Sequence, residues 1–539
     1  MITVNSFAGA MPLVPVERLP ESYASAADNL IIKTGELMPL YDDVEISAVL
    51  VSGIVNSLYW YERGHWFSFS NDVDVAPSPI AQDNFGRVYI TGNGKPKVTS
   101  NDIALGPSAL PGADYELGVP APKEKLVIAS VTANDPDPNN IDDDISRVYV
   151  MTFVNGYGEE GAASPVSDEV TLTQDDDKVT LTVPVPTENR HNLVSKRIYR
   201  SVSTINSVGF RLVATIGLSL GSFIDDVADS ALGGALETDS YDLPPTNMKG
   251  IVNLPGGFLA GFAGNEVCFS EPFLAYAWPI ANRNVTEHDV VAIAATDSAL
   301  VVATEGYPYL FSGVSPDAMT PRKLEMRLGC VSKRSMVDLG DQVIYACSKG
   351  LVAVSSQGVS LLTEESLDKR LWQQYKPNTI HAYVFDGYYF GFYGDSLGNG
   401  QGDGGFIYDV RANAFTRLNF YASAGYSDPL DDALYLMVNN KLVNFSQGSG
   451  QRLDYSWLSK VFVLGVYSLS CCFIDTDEPE KVGFILIADG VEVMNVAKGG
   501  LTDNRFRLPG VLADKWQFKL TGSAHIRRLI LANSMAELY

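Results

Sequence analysis

Cysteine is scarce in this chain. There are five among 539 residues, Cys268, Cys330, Cys347, Cys471 and Cys472, and no two are spaced as CxxC. Buried free thiols are expected, as in a protein folded in a reducing cytoplasm. Histidine is as rare, and His65, His191, His288, His381 and His525 show no metal-ligand spacing. Basic residues are outnumbered, with 39 Lys and Arg against 64 Asp and Glu, a formal net charge of −25. That balance argues against a protein that grips phosphate backbones, since such affinity needs a basic footprint. The longest nearly apolar stretch, 461–474, is too short for a membrane helix. The first residues lack a basic segment followed by an apolar one, so no secretory signal is expected.

Helical periodicity is also sparse. The best short helix candidates are residues 22–29 and 364–375. What is abundant is short runs of Val, Ile, Tyr, Phe and Thr, stopped by Gly, Asn, Asp or Pro. Examples are Ser57–Tyr61, 87–91, 148–154, 178–183, 299–304, 342–346, His381–Phe385 and Ala433–Val438. Closely spaced strands with turn signals indicate an all-β sandwich, barrel or propeller.

The pattern changes along the chain. Residues 1–50, with three prolines by Pro20, are expected to be an extended arm laid along a neighbour, closing in a hairpin at Thr34-Gly35. Residues 51–115 hold four strand-like runs, the content of one propeller blade. Residues 120–243 read as an inserted β-sandwich of immunoglobulin or fibronectin-type-III type, with Pro-rich linkers "LGVPAPKEK" and "DLPPTN" at its ends. Residues 247–450 resume the blade pattern at a spacing of roughly 40 to 55 residues, within the range of propeller repeats. Five to seven blades are expected in all. Residues 451–539 form a small C-terminal β region. The expected fold is therefore all-β: a propeller, an inserted sandwich and a terminal β domain.

Several constellations were weighed for chemistry. Gly217-Leu218-Ser219-Leu220-Gly221 matches G-x-S-x-G, but a strand and an acidic turn follow where a nucleophile elbow needs a helix, so a β-turn is expected. Asp135, Asp137, Asn139, Asp142, Asp143 and Asp144 crowd one loop. A hard cation takes such carboxylates, yet Asn140 and Ser146 stand where an EF-hand needs Gly and Glu, which favours a solvated loop. "QDDDK" at 174–178 is expected at a hairpin tip. The Gly-rich run 394–405, "GDSLGNGQGDGG", lacks the Lys-Ser/Thr of a phosphate loop and is expected to be a mobile tip, lid or gate. No catalytic, cofactor-binding or metal residue is assigned, and no cofactor is expected. A glycosidase carboxylate pair stays open among so many acidic residues.

Four phrases occur in an order that resembles a known family. The first is "FAGAMPLVPVERLPESYASAADNLIIKTGELMPL", in which Ala27, Asn29, Gly35, Leu37 and Pro39 form A-x-N-x-x-x-x-x-G-x-L-x-P. The second is "YVMTFVNGYGEEGAASPVS" with "RIYRS", "SFIDD" and "LPP". The third is "GGFLAGFAGNEVCFSEPFLAYAWP", and the fourth is "FRLP" with the terminal "ANSMAEL". Together they resemble the tail nozzle group, tail tubular protein B-like, of short-tailed, podovirus-type bacteriophages. The resemblance implies a non-enzymatic virion subunit, assembled in the host cytoplasm, with six copies in a ring at the distal end of the tail. It implies a channel through which the DNA genome is ejected without specific binding. It also implies tail adaptor or upper tail proteins as partners, with tail fibres and the host envelope nearby. Two other classes stay open: a propeller-type polysaccharide-degrading enzyme and a carbohydrate-binding adhesin of the virion.

Overall fold

The computed structural model describes residues 1–41, 44–61, 64–133, 145–174, 177–204, 207–394, 403–446 and 451–538. The chain is all-β, and among the described residues helix is confined to single turns such as Lys369–Trp372. It divides into two compact units. One holds Met1–Asp72, Glu287–Phe311 and Arg322–Tyr539; the other holds Val73–Thr286 and Ser312–Pro321.

The first unit is built on propeller blades. Val337–Asp338, Val343–Ala346, Leu351–Ser355 and Gly358–Leu361 make one four-stranded antiparallel sheet. His381–Phe385, Tyr388–Tyr393, Gly404–Asp409 and Ala414–Leu418 make the next meander. In Ala422–Asp428, Ala433–Val438 and Lys441–Asn444 the fourth strand is Val44–Glu45, from the start of the chain. Successive side chains on a strand point to opposite faces, and here both faces are buried. Val343 and Tyr345 pack with Val301 and Ala303 of the strand Leu300–Thr304, which belongs to the sheet before it in sequence. Ile344 and Ala346, one residue out of phase, pack with Tyr389 and Phe406 of the following one. Phe390, Phe392 and Ile407 then meet Leu434, Leu436 and Val443, and Ala433 and Tyr435 meet Leu58 and Trp66. Strands rich in Val, Ile and aromatics without alternation are thus the signature of sheets stacked between sheets. Asp386-Gly387 and Asn439-Asn440 close two of the hairpins with positive φ at both positions (50° and 77°; 52° and 61°). That geometry matches the twist of the strands and favours Asn, Asp and Gly.

The opening residues differ from the expected arm. Ile2–Val4 pairs with Arg528–Ala532. Ala8–Ala10 and Tyr23–Asp28 join an 11-stranded sheet between the His381–Leu418 meander and the C-terminal strands. Ile2, Val4 and Phe7 are buried in a core with Trp457, Phe518 and Leu531. Within residues 22–29, expected as a helix, Tyr23–Asp28 is a strand. Ala and Ser carry helix propensity, but pairing of Ala24 with Ser459 and Ala27 with Trp457 overrides it. In the other candidate, 364–375, helix is limited to Lys369–Trp372 and a 3-10 turn at Gln373–Tyr375.

The second unit holds two more four-stranded blades. One comprises Asp74–Pro77, Val88–Thr91, Lys97–Thr99 and Tyr115–Glu116; the other comprises Lys249–Leu254, Phe258–Ala263, Glu266–Phe269 and Arg283–Val285. Ala76 and Tyr89 share a core with Leu259, Cys268 and Trp278. Between them in sequence lies the sandwich. Val127–Thr132, Lys178–Thr182 and Ser222–Asp225 form one sheet; Tyr149–Asn155, Leu193–Thr204 and Ser207–Gly217 form another. Tyr149, Met151, Val179, Leu181 and Ile198 fill the space between the sheets. The expected segment 51–115 therefore falls in two places. Ser57–Tyr61 and His65–Phe69 form a hairpin of the first unit, and Asp74–Glu116 is a blade of the second.

Candidate functional site

The residues of the A-x-N-x-x-x-x-x-G-x-L-x-P phrase form a clasp in the first unit. Ala27 is buried beside Trp457. Asn29 takes φ of +55°, and its N–H donates to Arg417 O at 2.8 Å. Its Oδ1 accepts from Asn419 N at 2.9 Å, so one Asn holds the chain leaving the Ala414–Leu418 strand. Gly35 has φ of +82° in the Thr34-Gly35 hairpin, and a Cβ there would stand 2.3 Å from Ser6 Oγ. Its carbonyl accepts from Phe7 N at 2.7 Å. Leu37 is fully buried, and it exchanges two backbone hydrogen bonds with Ile526, at 2.9 and 3.0 Å. Pro39 sits buried opposite Leu30, ending the Leu30–Lys33 and Glu36–Pro39 hairpin. Beside the clasp, His525 Nε2 lies 2.6 Å from Glu36 Oε2. The clasp ties a blade to the C-terminal β region.

A second feature of this unit is an acidic cleft of about 580 Å³, lined by Lys33, Asp386, Asp431, Asp432, Tyr435 and Ser446 among others. Lys33 Nζ pairs with Asp386 Oδ2 at 2.6 Å. Asp386 and Asp432 both take positive φ, as hairpin-tip residues do. The cleft presents carboxylates at the ends of adjacent blades. Asp386 and Asp431 lie on different hairpins, and blade stacking brings them to one cleft.

Among the described residues, the candidate chemistry-bearing side chains are not brought together. Ser219 lies in the turn between Ser207–Gly217 and Ser222–Asp225, where Leu220 N donates to Gly217 O. Next to it, buried Lys196 donates Nζ to Leu220 O at 2.7 Å and to Pro184 O at 2.9 Å, and burial lowers its pKa. The Asp135–Asp144 carboxylates and residues 395–402 of the Gly-rich run lie outside the described residues, as do Asp175 and Asp176. Asp177 accepts from Thr173 and Gln174 backbone N–H groups. His381 is buried, with Nδ1 3.0 Å from Tyr383 Oη and its ring stacked on Phe392. His191 Nδ1 lies 2.9 Å from Gly118 O and 3.1 Å from Glu116 O, fastening the linker that leads into the sandwich. All five cysteines are buried free thiols. Burial pushes Cys268 and Cys330 up to about 12, which keeps them protonated. Among the described residues no three His, Cys, Asp or Glu are grouped to hold a metal ion.

The strongest buried charges are in the second unit. Arg87 Nε donates to Asp83 Oδ2 at 2.7 Å and Nη1 to Glu159 Oε1 at 2.5 Å, joining a blade to the sandwich. Its guanidinium lies 5.4 and 5.3 Å from the ring centres of Phe85 and Tyr157. Burial raises the Glu159 pKa against the pull of Arg87. Arg200 and Asp225 are both fully buried and pair at 2.9 Å, with Tyr149 Oη donating to the same carboxylate. These are paired charges inside the sandwich, although the buried Arg200 Nε has no hydrogen-bond partner among the described residues.

No protein-family model matches the chain, and no curated protein matches it. Solved structures with partial likeness include Hsv2 of Kluyvelomyces marxianus, at 8% identity over 53% of this chain and 89% of that one, TM-score 0.26. A glutaminyl cyclase of Myxococcus xanthus shares 12% identity over 36% of this chain and 88% of that one, TM-score 0.21. A chain of a mitotic checkpoint complex shares 8% over 76% of this chain and 93% of that one, TM-score 0.29. At such TM-scores none of these likenesses carries an argument.

Proposed function

We propose that the chain is a structural subunit of a short phage tail, one of six copies in a ring-shaped nozzle through which the DNA genome leaves. The observation that carries this reading is the clasp. Ala27, Asn29, Gly35, Leu37 and Pro39, the residues on which the resemblance to tail nozzle proteins rests, each have a defined structural task in the first unit. The phrase thus serves the fold at five positions, which supports the reading. The charge supports the same reading. A net charge of −25 per subunit disfavours adhesion of a polyanion that passes it. In this reading the subunit has no catalytic task, and the proteins above it in the tail are its partners.

Negative-stain images of the purified chain, and antibody labelling of virions, test this directly. Six-fold rings with an axial channel, and label at the distal tip of the tail, are expected. A chain that stays monomeric at all concentrations and is absent from virions overturns the reading. Release of reducing ends from host polysaccharide, lost in Asp431→Asn, would move the assignment to an enzyme.

A further inference from the structure

We propose that copies of this chain join head to tail through the two opposite edges of the C-terminal sheet. The inference rests on the ring reading above and names its interface. Identical chains of charge −25 repel one another over most of their surface. That charge is not spread evenly. Residues 451–539 contain ten Lys or Arg and ten Asp or Glu, so the whole excess of acid falls on residues 1–450. The C-terminal region is where two copies meet at least electrostatic cost.

The same region exposes aliphatic side chains on sheet edges. At this end of the 11-stranded sheet, Leu512–Gly522 carries Tyr455–Ser459 and Phe462–Ser468 one after the other along one side, and Val482–Ala488 then Val491–Val496 on the other, so past the Tyr455–Ser459 stretch the order is Phe462–Ser468, Leu512–Gly522, Val482–Ala488, Val491–Val496. The first and last are edges: among the described residues each pairs with one neighbour only. On and beside the first edge, Val463, Leu464, Val466 (77% exposed) and Leu512 (70%) face solvent; on the other, Val491 is 64% exposed. Natural proteins usually blunt such edges with charge, and clustered exposed aliphatics mark association sites.

The strand directions fit a head-to-tail junction. All three pairings are antiparallel. With four strands, the two edge strands run in opposite directions, so the Phe462–Ser468 strand of one copy comes antiparallel to the Val491–Val496 strand of the next. Such a contact is heterologous, and it generates a ring when the rotation closes. The register shift between Val463 and Tyr467, with Gly465 at φ +71°, keeps any shared ladder short. Burial of Val466, Leu512 and Val491 therefore carries the contact.

The test uses the full chain. Val466→Asp with Leu512→Glu should weaken self-association at least tenfold by sedimentation velocity, with an unchanged melting curve. Leu430→Asp, at another exposed aliphatic of the first unit, should leave association as it is. In a second measurement, Val463→Cys combined with Val491→Cys should give a ladder of disulfide-linked copies on mild oxidation, and neither single variant should go beyond dimers. The native cysteines are buried and do not confuse the readout. Oligomers that persist in the Asp/Glu variant, with no ladder from the Cys pair, overturn the interface and leave the nozzle reading standing. A wild-type chain that is monomeric throughout overturns both.

Discussion

His381 shows how a single buried residue makes stability depend on pH. Its imidazole is enclosed by Tyr383, Phe392 and Tyr421, and Arg334 donates to Tyr383 Oη at 3.1 Å. Burial first, and the Arg334 charge second, hold its pKa well below the usual 6.5. The folded chain therefore keeps His381 neutral while the unfolded chain takes up a proton as pH falls. Stability contributed by the neutral ring is complete above the unfolded value and is lost progressively below it, by at most about 1.4 kcal/mol per pH unit per group. His191, also lowered by burial, adds in the same sense. Thermal melts from about pH 7.5 to about pH 5.5 should show a falling midpoint, with a shallower fall in His381→Gln, which keeps a polar group but does not titrate. Equal slopes in the two proteins would mean that His381 is not the group responsible. The sequence shows five unclustered histidines, but not which of them the fold shuts away from water.

At the scale of elements, the first ten residues are part of the core. Ile2, Val4 and Phe7 are buried, and Phe7 meets Trp457 edge to face at 5.0 Å. Burying three such side chains contributes on the order of 5 kcal/mol or more, against a typical domain stability of about 5–15 kcal/mol. Deleting residues 1–10 should therefore lower the melting midpoint sharply and expose the C-terminal region to protease. A truncated monomer that melts like the full chain would refute this account. The reason the sequence concealed it is distance along the chain. Ser25 Oγ donates to Ser459 O across 434 positions, and Val44–Glu45 completes a sheet begun at Ala422. Local patterns reveal strands and hairpins, such as Thr34-Gly35, because a turn is written in adjacent residues. They are silent on which remote strand completes a sheet. The same limit holds for the acidic cleft, where Asp386 and Asp431 are far apart in the sequence and blade stacking brings them together.

For the whole molecule the deciding quantity is charge. A chain of net −25 with a charge-balanced C-terminal region should associate more strongly as salt is added, because screening weakens the repulsion between copies while leaving aliphatic burial intact. The Debye length falls from about 30 Å at 0.01 M to about 10 Å at 0.1 M, so most of the change should come below physiological ionic strength. An interface held by ion pairs would behave in the opposite way, since its attractions are screened along with the repulsion. Sedimentation velocity at fixed protein concentration, with NaCl raised from about 0.02 M to about 0.3 M, separates the two. The expected result is a self-association constant that climbs several-fold and then levels off. In the Val466→Asp, Leu512→Glu protein the curve should lie lower at every salt concentration and still rise, because that change adds charge and removes apolar contact at once. A constant that falls steadily with salt in the wild-type chain would show that ion pairs hold the copies together.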